Sequence, residues 1–457
     1  MKRSHEVDLT QGPILKKIIL FALPLMATAL LQTLYNVADM VVVGKFAENG
    51  SFAMGAVGSC SSLINLMIQL FLGLSTGVGI SVAQLIGAGK KEDASRILHT
   101  SVLASLICGV LLTCFGFFAA ESLLRLMNTP PTVLVEAVPY MKAYFIGMPA
   151  TLLYNCLASG LRSSGDTTRP LIFLLVSGLL NVIFNVIMVV VFRLGAVGVG
   201  IATSISQVAA ALMILLYMAR IDGVCHLSFR LLRMRGKSLA AIVRYGLPAG
   251  LQNVVFSFSN VLIQSTVNRF DGGSGIIVAG CSASSSIEGI VSAIMSAFYF
   301  CVLTFVGQNV GAKTYHRIPK IIRTCLLCDF VMAVSASALI LLCSKPLLAL
   351  YVADSEISEA VKAAALTRMS IMITFVFLNG FMDVGTGTLG GMGKPNLALM
   401  MTVTGACGIR LLWIFTVCRL SEDIRVLYAI YPVTWLITAA AEFFCAAKLH
   451  KRMLRSV

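Results

Sequence analysis

The chain has 457 residues, of which 58% are hydrophobic and 12% charged, with a formal net charge of +15. Soluble domains carry about a quarter charged residues, so a water-soluble globule is excluded and lipid must be the solvent for most of the chain. Mean hydropathy is +0.90, and the basic excess sits in short loops between apolar runs, the pattern of a membrane protein and not of a nucleic-acid binder.

Crossing the hydrocarbon core as helix takes about 20 apolar residues. Twelve such runs follow one another at 15–43, 53–84, 97–119, 138–161, 170–192, 196–218, 241–267, 276–306, 324–349, 369–390, 396–418 and 427–447. They are continuously apolar rather than alternating, which argues against strands. The first is too long for the apolar core of a cleavable signal and lacks a small-residue cleavage site, so it reads as a span. Lys and Arg are more than twice as frequent on the side of the N-terminus as on the other. They run from Lys2, Arg3, Lys16 and Lys17, through the linker around Arg233, to Lys448, Lys451, Arg452 and Arg455. Both termini are therefore expected in the cytoplasm of a bacterial inner-membrane protein. Arg368 counts among the residues of an outer loop.

The two halves repeat. Leu23-Pro24 recurs as Leu247-Pro248, Gln84-Leu85-Ile86-Gly87-Ala88 as Gln308-Asn309-Val310-Gly311-Ala312, and Asn36 as Asn260, all at one spacing. The expected architecture is an all-α membrane protein of twelve transmembrane helices in two six-helix bundles. The lobes are 1–219 and 241–457, joined by a basic cytoplasmic linker at 220–240. Six spans per half give the halves the same orientation, related by a pseudo-two-fold axis along the membrane normal with a substrate path between them.

Ionisable groups inside a membrane are costly and mark function by default. Gln32, Asn36 and Asp39 recur at i, i+4 and i+7, on one face of the first span. Pro24 on the same helix permits a kink. Three aligned polar groups favour a functional face over a carboxylate merely solvated at the outer interface. In span 5, Asn181 and Asn185 follow Ser177 on one face, either lining a path or acting as interhelical glue. Span 8 carries Ser285, Glu288, Ser292 and Tyr299 along a face, and span 10 carries Asn379, Asp383 and Thr386. Here the choice is between a substrate cavity and buried helix–helix hydrogen bonds. Asp329 and Glu442 stand towards cytoplasmic ends and read as interfacial. Arg410 is either a counter-charge for one of these acids or a snorkelling residue, with the former favoured.

Two motifs of soluble proteins carry nothing here. Gly73-Leu74-Ser75-Thr76-Gly77 fits a nucleophile elbow, which needs a strand-to-helix turn; here it lies within a membrane helix. Cys325-x-x-Cys328 opens a membrane helix, and most of the 13 cysteines lie in apolar stretches, where a free thiol acts as a small hydrophobe. No Walker motif is present, so the chain is not expected to be an ATP-driven machine or an enzyme, and no metal centre or cofactor is expected.

The chain resembles the multidrug and toxic compound extrusion (MATE) family, in its DinF/MepA-like bacterial branch. The marks are Leu23-Pro24 followed by Asn36-x-x-Asp39 and Val43-Gly44, then Gln84-x-x-Gly87-Ala88-Gly89. The Gly160-Leu161-Arg162-Ser163-Ser164-Gly165-Asp166-Thr167 loop, Gly200-Ile201-Ala202-Thr203 and Thr304-Phe305-Val306-Gly307-Gln308-Asn309-x-Gly311-Ala312 complete them. The resemblance implies a V-shaped pair of six-helix bundles that exports organic cations or other amphipathic compounds in exchange for protons or sodium ions. It implies a cation site made by Asp39, Asn181, Asn185 and Thr203, beside Asn36. A substrate cavity would take Gln32, Asn260, Glu288, Tyr299, Asn379 and Asp383. Three positions depart from the pattern. Asn185 stands where several relatives have a second Asp, Phe256 where the NorM branch has a Glu, and Leu389-Gly390-Gly391 where Leu-Arg-Gly is usual. One carboxylate instead of two favours proton coupling over a tight sodium site. The alternative function is a flippase for lipid-linked saccharides; its pyrophosphate cargo calls for several cations, whereas Asp39, Glu288 and Asp383 are acidic. The expected partners are small cationic or amphipathic molecules and membrane lipid, with no nucleic acid, and the protein is expected to be a monomer.

Overall fold

A computed structural model describes residues 7–47, 50–127, 129–349, 358–421 and 423–455; Lys2 and Arg3 lie outside them. Every regular element among the described residues is helical. In the first half these are α1 (Ile14–Phe46), α2 (Gly50–Gly87), α3 (Lys91–Leu126), α4 (Pro131–Ile146), α5 (Met148–Ser163), α6 (Thr168–Val186) and α7 (Gly195–Arg220). The second half comprises α8 (Gly236–Asp271), α9 (Ile276–Gly311), α10 (Ile318–Leu342), α11 (Ser344–Ala349), α12 (Ser358–Met372), α13 (Val376–Gly391), α14 (Pro395–Met401), α15 (Arg410–Phe415), α16 (Ile424–Tyr428) and α17 (Ile430–Arg455).

Nine helical stretches among the described residues are long and apolar enough to cross a membrane, and the pair α12–α13, bent by 47°, makes a tenth. Two more complete the twelve transmembrane helices. One is α4–α5, whose pieces of 16 residues each are too short singly. The other is α8, 36 residues long but interrupted by Gln252, Asn253, Asn260, Gln264 and Asn268. The break between α4 and α5 has a local cause: Gly147 is followed by Met148 and Pro149, and proline is accommodated in a first helical turn, where its missing N–H costs nothing. The fourth span of each half is thus the broken one. The fifth span of each half carries a π-helical segment, Ile187–Val191 after α6 and Thr402–Ile409 between α14 and α15.

The contacts divide the chain into two units, Met1–Asp8 with Ala27–Gly250, and Leu9–Met26 with Leu251–Val457. Two of the three divisions fall inside α1 and α8, two residues after Pro24 and Pro248, and the third lies between Asp8 and Leu9, ahead of α1. Each proline removes one backbone donor from its helix. In unit 1, one core gathers Val43, Cys60, Leu124, Phe145 and Val189, and another Val82, Leu98, Leu157, Ala210 and Ile242. The largest core of unit 2 gathers Ile18, Phe21, Phe298, Phe305, Cys325 and Leu389, with the Phe21 and Phe305 rings edge to face at 5.6 Å.

The Gly73–Gly77 motif is a packing device. A Cβ on Gly73 would lie 2.3 Å from the backbone nitrogen of Gly250, and one on Gly77 would lie 2.2 Å from the carbonyl oxygen of Ile242. Gly73 and Gly77 on α2 therefore face Gly246 and Gly250 on α8 across a backbone-to-backbone approach that only glycine permits. Ser75 donates to the Leu72 carbonyl of its own helix, at 2.7 Å.

Candidate functional site

In unit 1, the polar face of α1 opens on a cavity of about 500 Å3. Gln32, Tyr35, Asn36 and Asp39 come from α1, Tyr140 and Tyr144 from α4, Asn155 from α5, Ser177 and Asn181 from α6, and Thr203 and Gln207 from α7. Helical periodicity supplies this arrangement, since residues four apart share a face. Among the described residues Asp39 is the only charged one of the wall. Tyr35 was not singled out from the sequence. Its ring lies against Gly178, where a Cβ would come within 1.8 Å of Tyr35 Cζ, and its hydroxyl donates to the Leu175 carbonyl at 3.3 Å.

Behind the wall the polar groups form a chain. The Asn185 side-chain amide donates to Asp39 Oδ1 and, at 3.2 Å, to Asn181 Oδ1. Asn181 in turn donates to Thr203 Oγ1 at 3.3 Å. Both acceptors of the Asn185 amide are oxygens, which fixes its NH2 towards them and its own Oδ1 away. That Oδ1 is buried without a hydrogen-bond partner. The structure therefore joins Asp39, Asn185, Asn181 and Thr203, and sets Asn36 and Gln32 on the adjoining cavity surface.

Unit 2 holds a smaller cavity of about 330 Å3, walled by Phe256, Asn260, Glu288, Asn379, Tyr431 and Trp435 among others. Tyr299 and Asp383 line neither of these two cavities. Tyr299 packs its backbone against Gly387 and meets Phe300 edge to face, with the ring centroids 5.0 Å apart. Glu288 pairs with Arg368 at 2.8 Å, and Arg368 also donates to Ser284 Oγ at 3.1 Å. This corrects the sequence reading of Arg368 as a loop residue: α12 begins ten residues earlier, and the side chain is buried at 5% exposure.

Of the two readings of Arg410, snorkelling is excluded by its 1% exposure. Among the described residues no carboxylate lies within ion-pair distance of it, and Glu288 is the acid whose charge reaches it. It donates to Asn260 Oδ1 at 3.1 Å, and to Ser259 and Thr434 at 3.3 Å. The rings of Phe256 and Tyr431 stand 5.1 Å and 4.7 Å from its guanidinium carbon.

Asp329 and Glu442, expected near an interface, are both fully buried. Two glycines of α13 seat them. A Cβ on Gly380 would lie 2.2 Å from Asp329 Oδ2, and one on Gly385 would lie 2.5 Å from Glu442 Oε2. Asp383 stands between the two seats. Thr386 donates to Glu442 Oε1 at 2.7 Å, while neither oxygen of Asp329 has a hydrogen-bond partner.

A family model, MatE, matches residues 24–187 and 248–416. The chain belongs to the MatE family. The two matched blocks correspond to the two halves of the repeat, and the membership makes this MatE protein a multi-pass membrane transporter rather than an enzyme. It is 26% identical over 367 residues to the probable multidrug resistance protein YoeA of Bacillus subtilis (strain 168), covering 78% of each chain. It is 22% identical over 447 residues to the multidrug export protein MepA of Staphylococcus aureus (strain MSSA476), covering 98% of this chain and 95% of that one. Its fold matches a solved multidrug resistance MATE family transporter of the MOP superfamily, in an outward-facing conformation. The TM-score is 0.91 at 22% identity, and all of both chains is covered.

Proposed function

We propose that this MatE protein exports organic cations and other amphipathic compounds by alternating access, in exchange for protons carried by Asp39. It would act in the bacterial cytoplasmic membrane with both termini inside, as a monomer, without cofactor or nucleic acid. The observation that carries the reading is the hydrogen-bonded chain Asp39–Asn185–Asn181–Thr203 at the edge of a cavity in whose described wall Asp39 is the only charge. A single carboxylate at such an edge can hold either a proton or the positive end of a substrate, and mutual exclusion of the two is what exchange requires. The tyrosines and amides of the wall give an amphipathic guest both aromatic surface and adaptable polar contacts. The unit 1 cavity, with no cation among its described wall residues, does not suit a pyrophosphate-linked saccharide.

Sodium is the second reading, and one observation favours it: Asn185 Oδ1 has no hydrogen-bond partner, and a half-turn of the amide would bring it to Asp39 as a ligand for a cation. The test is transport of a fluorescent organic cation such as ethidium in proteoliposomes under an imposed pH gradient without sodium. Transport by the wild type and none by Asp39→Asn is the expected result. Export by Asp39→Asn at the wild-type rate would remove Asp39 from the coupling step.

A further inference from the structure

The cavity of unit 2 differs from that of unit 1 in the sign of its charge. Among the described residues of its wall, Glu288 and Arg368 cancel as an ion pair, and Arg410, behind the wall and within reach of the field of Glu288, adds a further positive charge. A guanidinium offers five N–H donors. Three bonds are made, from Nε to Thr434 and from Nη1 to Ser259 and Asn260, whereas Nη2 is buried without any partner. Three of the residues around the guanidinium, Phe256, Asn260 and Tyr431, are themselves wall residues of the cavity, so the charge lies one side chain behind its surface. A cation with no ion pair of its own, held by two rings and by a carboxylate already engaged with Arg368, is expensive to keep inside a membrane helix bundle. Packing alone does not require it, because a neutral side chain of similar length would fill the slot between the two rings.

We propose that this cavity is a binding site for an aromatic carboxylate, with Arg410 as the group that recognises the anion. The Asn260 Oδ1 atom holds the place of the ligand: it accepts one N–H of the fork that a carboxylate engages in pairs. An incoming carboxylate displaces this amide from Nη1 and takes the idle Nη2 in the same move, forming the two parallel charge-assisted bonds that the planar guanidinium favours. The Phe256, Tyr431 and Trp435 rings cover the aromatic body of the ligand. At about 330 Å3 the cavity is at the lower end of ligand-sized pockets and takes a compact molecule. Glu288 stays occupied by Arg368 and does not repel the anion. The site is independent of coupling through Asp39.

A matched pair of probes tests this. Dansylglycine and dansylglycinamide share one aromatic frame and differ in whether the end group is a carboxylate or a neutral amide. The protein has two tryptophans, so Trp413→Phe leaves Trp435, in the cavity wall, as the sole donor for energy transfer to the dansyl group. With the purified Trp413→Phe protein, dansylglycine is expected to bind more tightly than the amide by about tenfold or more. Arg410→Met should abolish the preference, whereas Arg410→Lys, which keeps the charge, should retain part of it. Equal binding of the two probes by the Trp413→Phe protein overturns the proposal, and this comparison stands even if Arg410→Met does not fold. A preference surviving intact in folded Arg410→Met overturns it as well. Since these are binding measurements, their failure leaves proton-coupled export untouched, and loss of export in Asp39→Asn leaves this site untouched.

Discussion

Replacing Asn185 by Asp changes the charge of the unit 1 site without changing its shape. The amide now donates to Asp39 Oδ1 and, at 3.2 Å, to Asn181 Oδ1. A carboxylate in its place removes both donations and sets a second anion in contact with the first. Two unit charges about 3 Å apart, at an effective dielectric constant of about 20, repel by roughly 5 kcal/mol. The net contribution of the lost hydrogen bonds is about 1 kcal/mol each, so repulsion dominates. Residue 185 is fully buried, so water reaches the pair only from the cavity side of Asp39 and screens it weakly. The pair must therefore hold either a shared proton or a monovalent cation, for which Asn181 and Thr203 supply further oxygens. In proteoliposomes under an imposed pH gradient, exchanging choline chloride for sodium chloride should leave wild-type transport unchanged and alter that of Asn185→Asp several-fold. Sodium should also raise the melting temperature of the variant alone, by the mass action of a ligand that binds the native state. An identical sodium response in both proteins refutes the electrostatic reasoning. A wild type that needs a sodium gradient at constant pH refutes the preference for protons.

Gly178→Ala places a methyl group where Tyr35 now lies, and the ring must retreat by nearly 2 Å to reach a contact distance of about 3.5 Å. Ethidium transport should fall sharply while the protein elutes as a folded species; unchanged transport would mean that the ring position does not matter. Gly380→Ala should lower thermal stability by about 1–3 kcal/mol through overpacking against Asp329. Adding Asp329→Ala should recover much of that loss, and a double variant no more stable than the single one would exclude the contact as its cause. Cysteine labelling should find positions beside Arg233 and Lys451 accessible from the same, cytoplasmic side; opposite sides would overturn the assigned topology.

The twelve spans were legible because a run of some 20 apolar residues has few physical uses other than crossing lipid. Even α4–α5 was visible, since a break at Gly147 leaves the apolar run intact. Arg368 was misread for the converse reason. The first turns of α12 carry Glu359 and Lys362, so hydropathy starts the span too late. Its partner Glu288 is on another helix, and pairing across helices leaves no local trace. Asp39 with Gln32 and Asn36 was readable from periodicity, and so was Asn181 with Asn185. The bond joining the two sets is tertiary, and the expectation that they meet came from family resemblance. Asp329 and Glu442 looked interfacial because their distance from a span end is all that the sequence shows. Their seats at Gly380 and Gly385 are properties of the neighbouring helix.

The π-helical segments of the two fifth spans carry an evolutionary consequence. Each arises when a helix absorbs more residues than its α-helical path needs, and removing one residue from such a segment restores α geometry. One α-helical residue subtends about 100° of rotation, and a π-helical segment absorbs that rotation. Deleting a single codon within Ile187–Val191 would therefore leave Asn181 and Asn185 facing Asp39 and keep the phase of the chain beyond them. In Thr402–Ile409, which precedes Arg410, the same event would leave the guanidinium between Phe256 and Tyr431, whereas a deletion in the regular turns of α14 would swing it out. Each fifth span thus tolerates a change of length at its π-helical segment without displacing the polar groups of its lobe. Length variation among relatives of this chain is expected to collect at these two places.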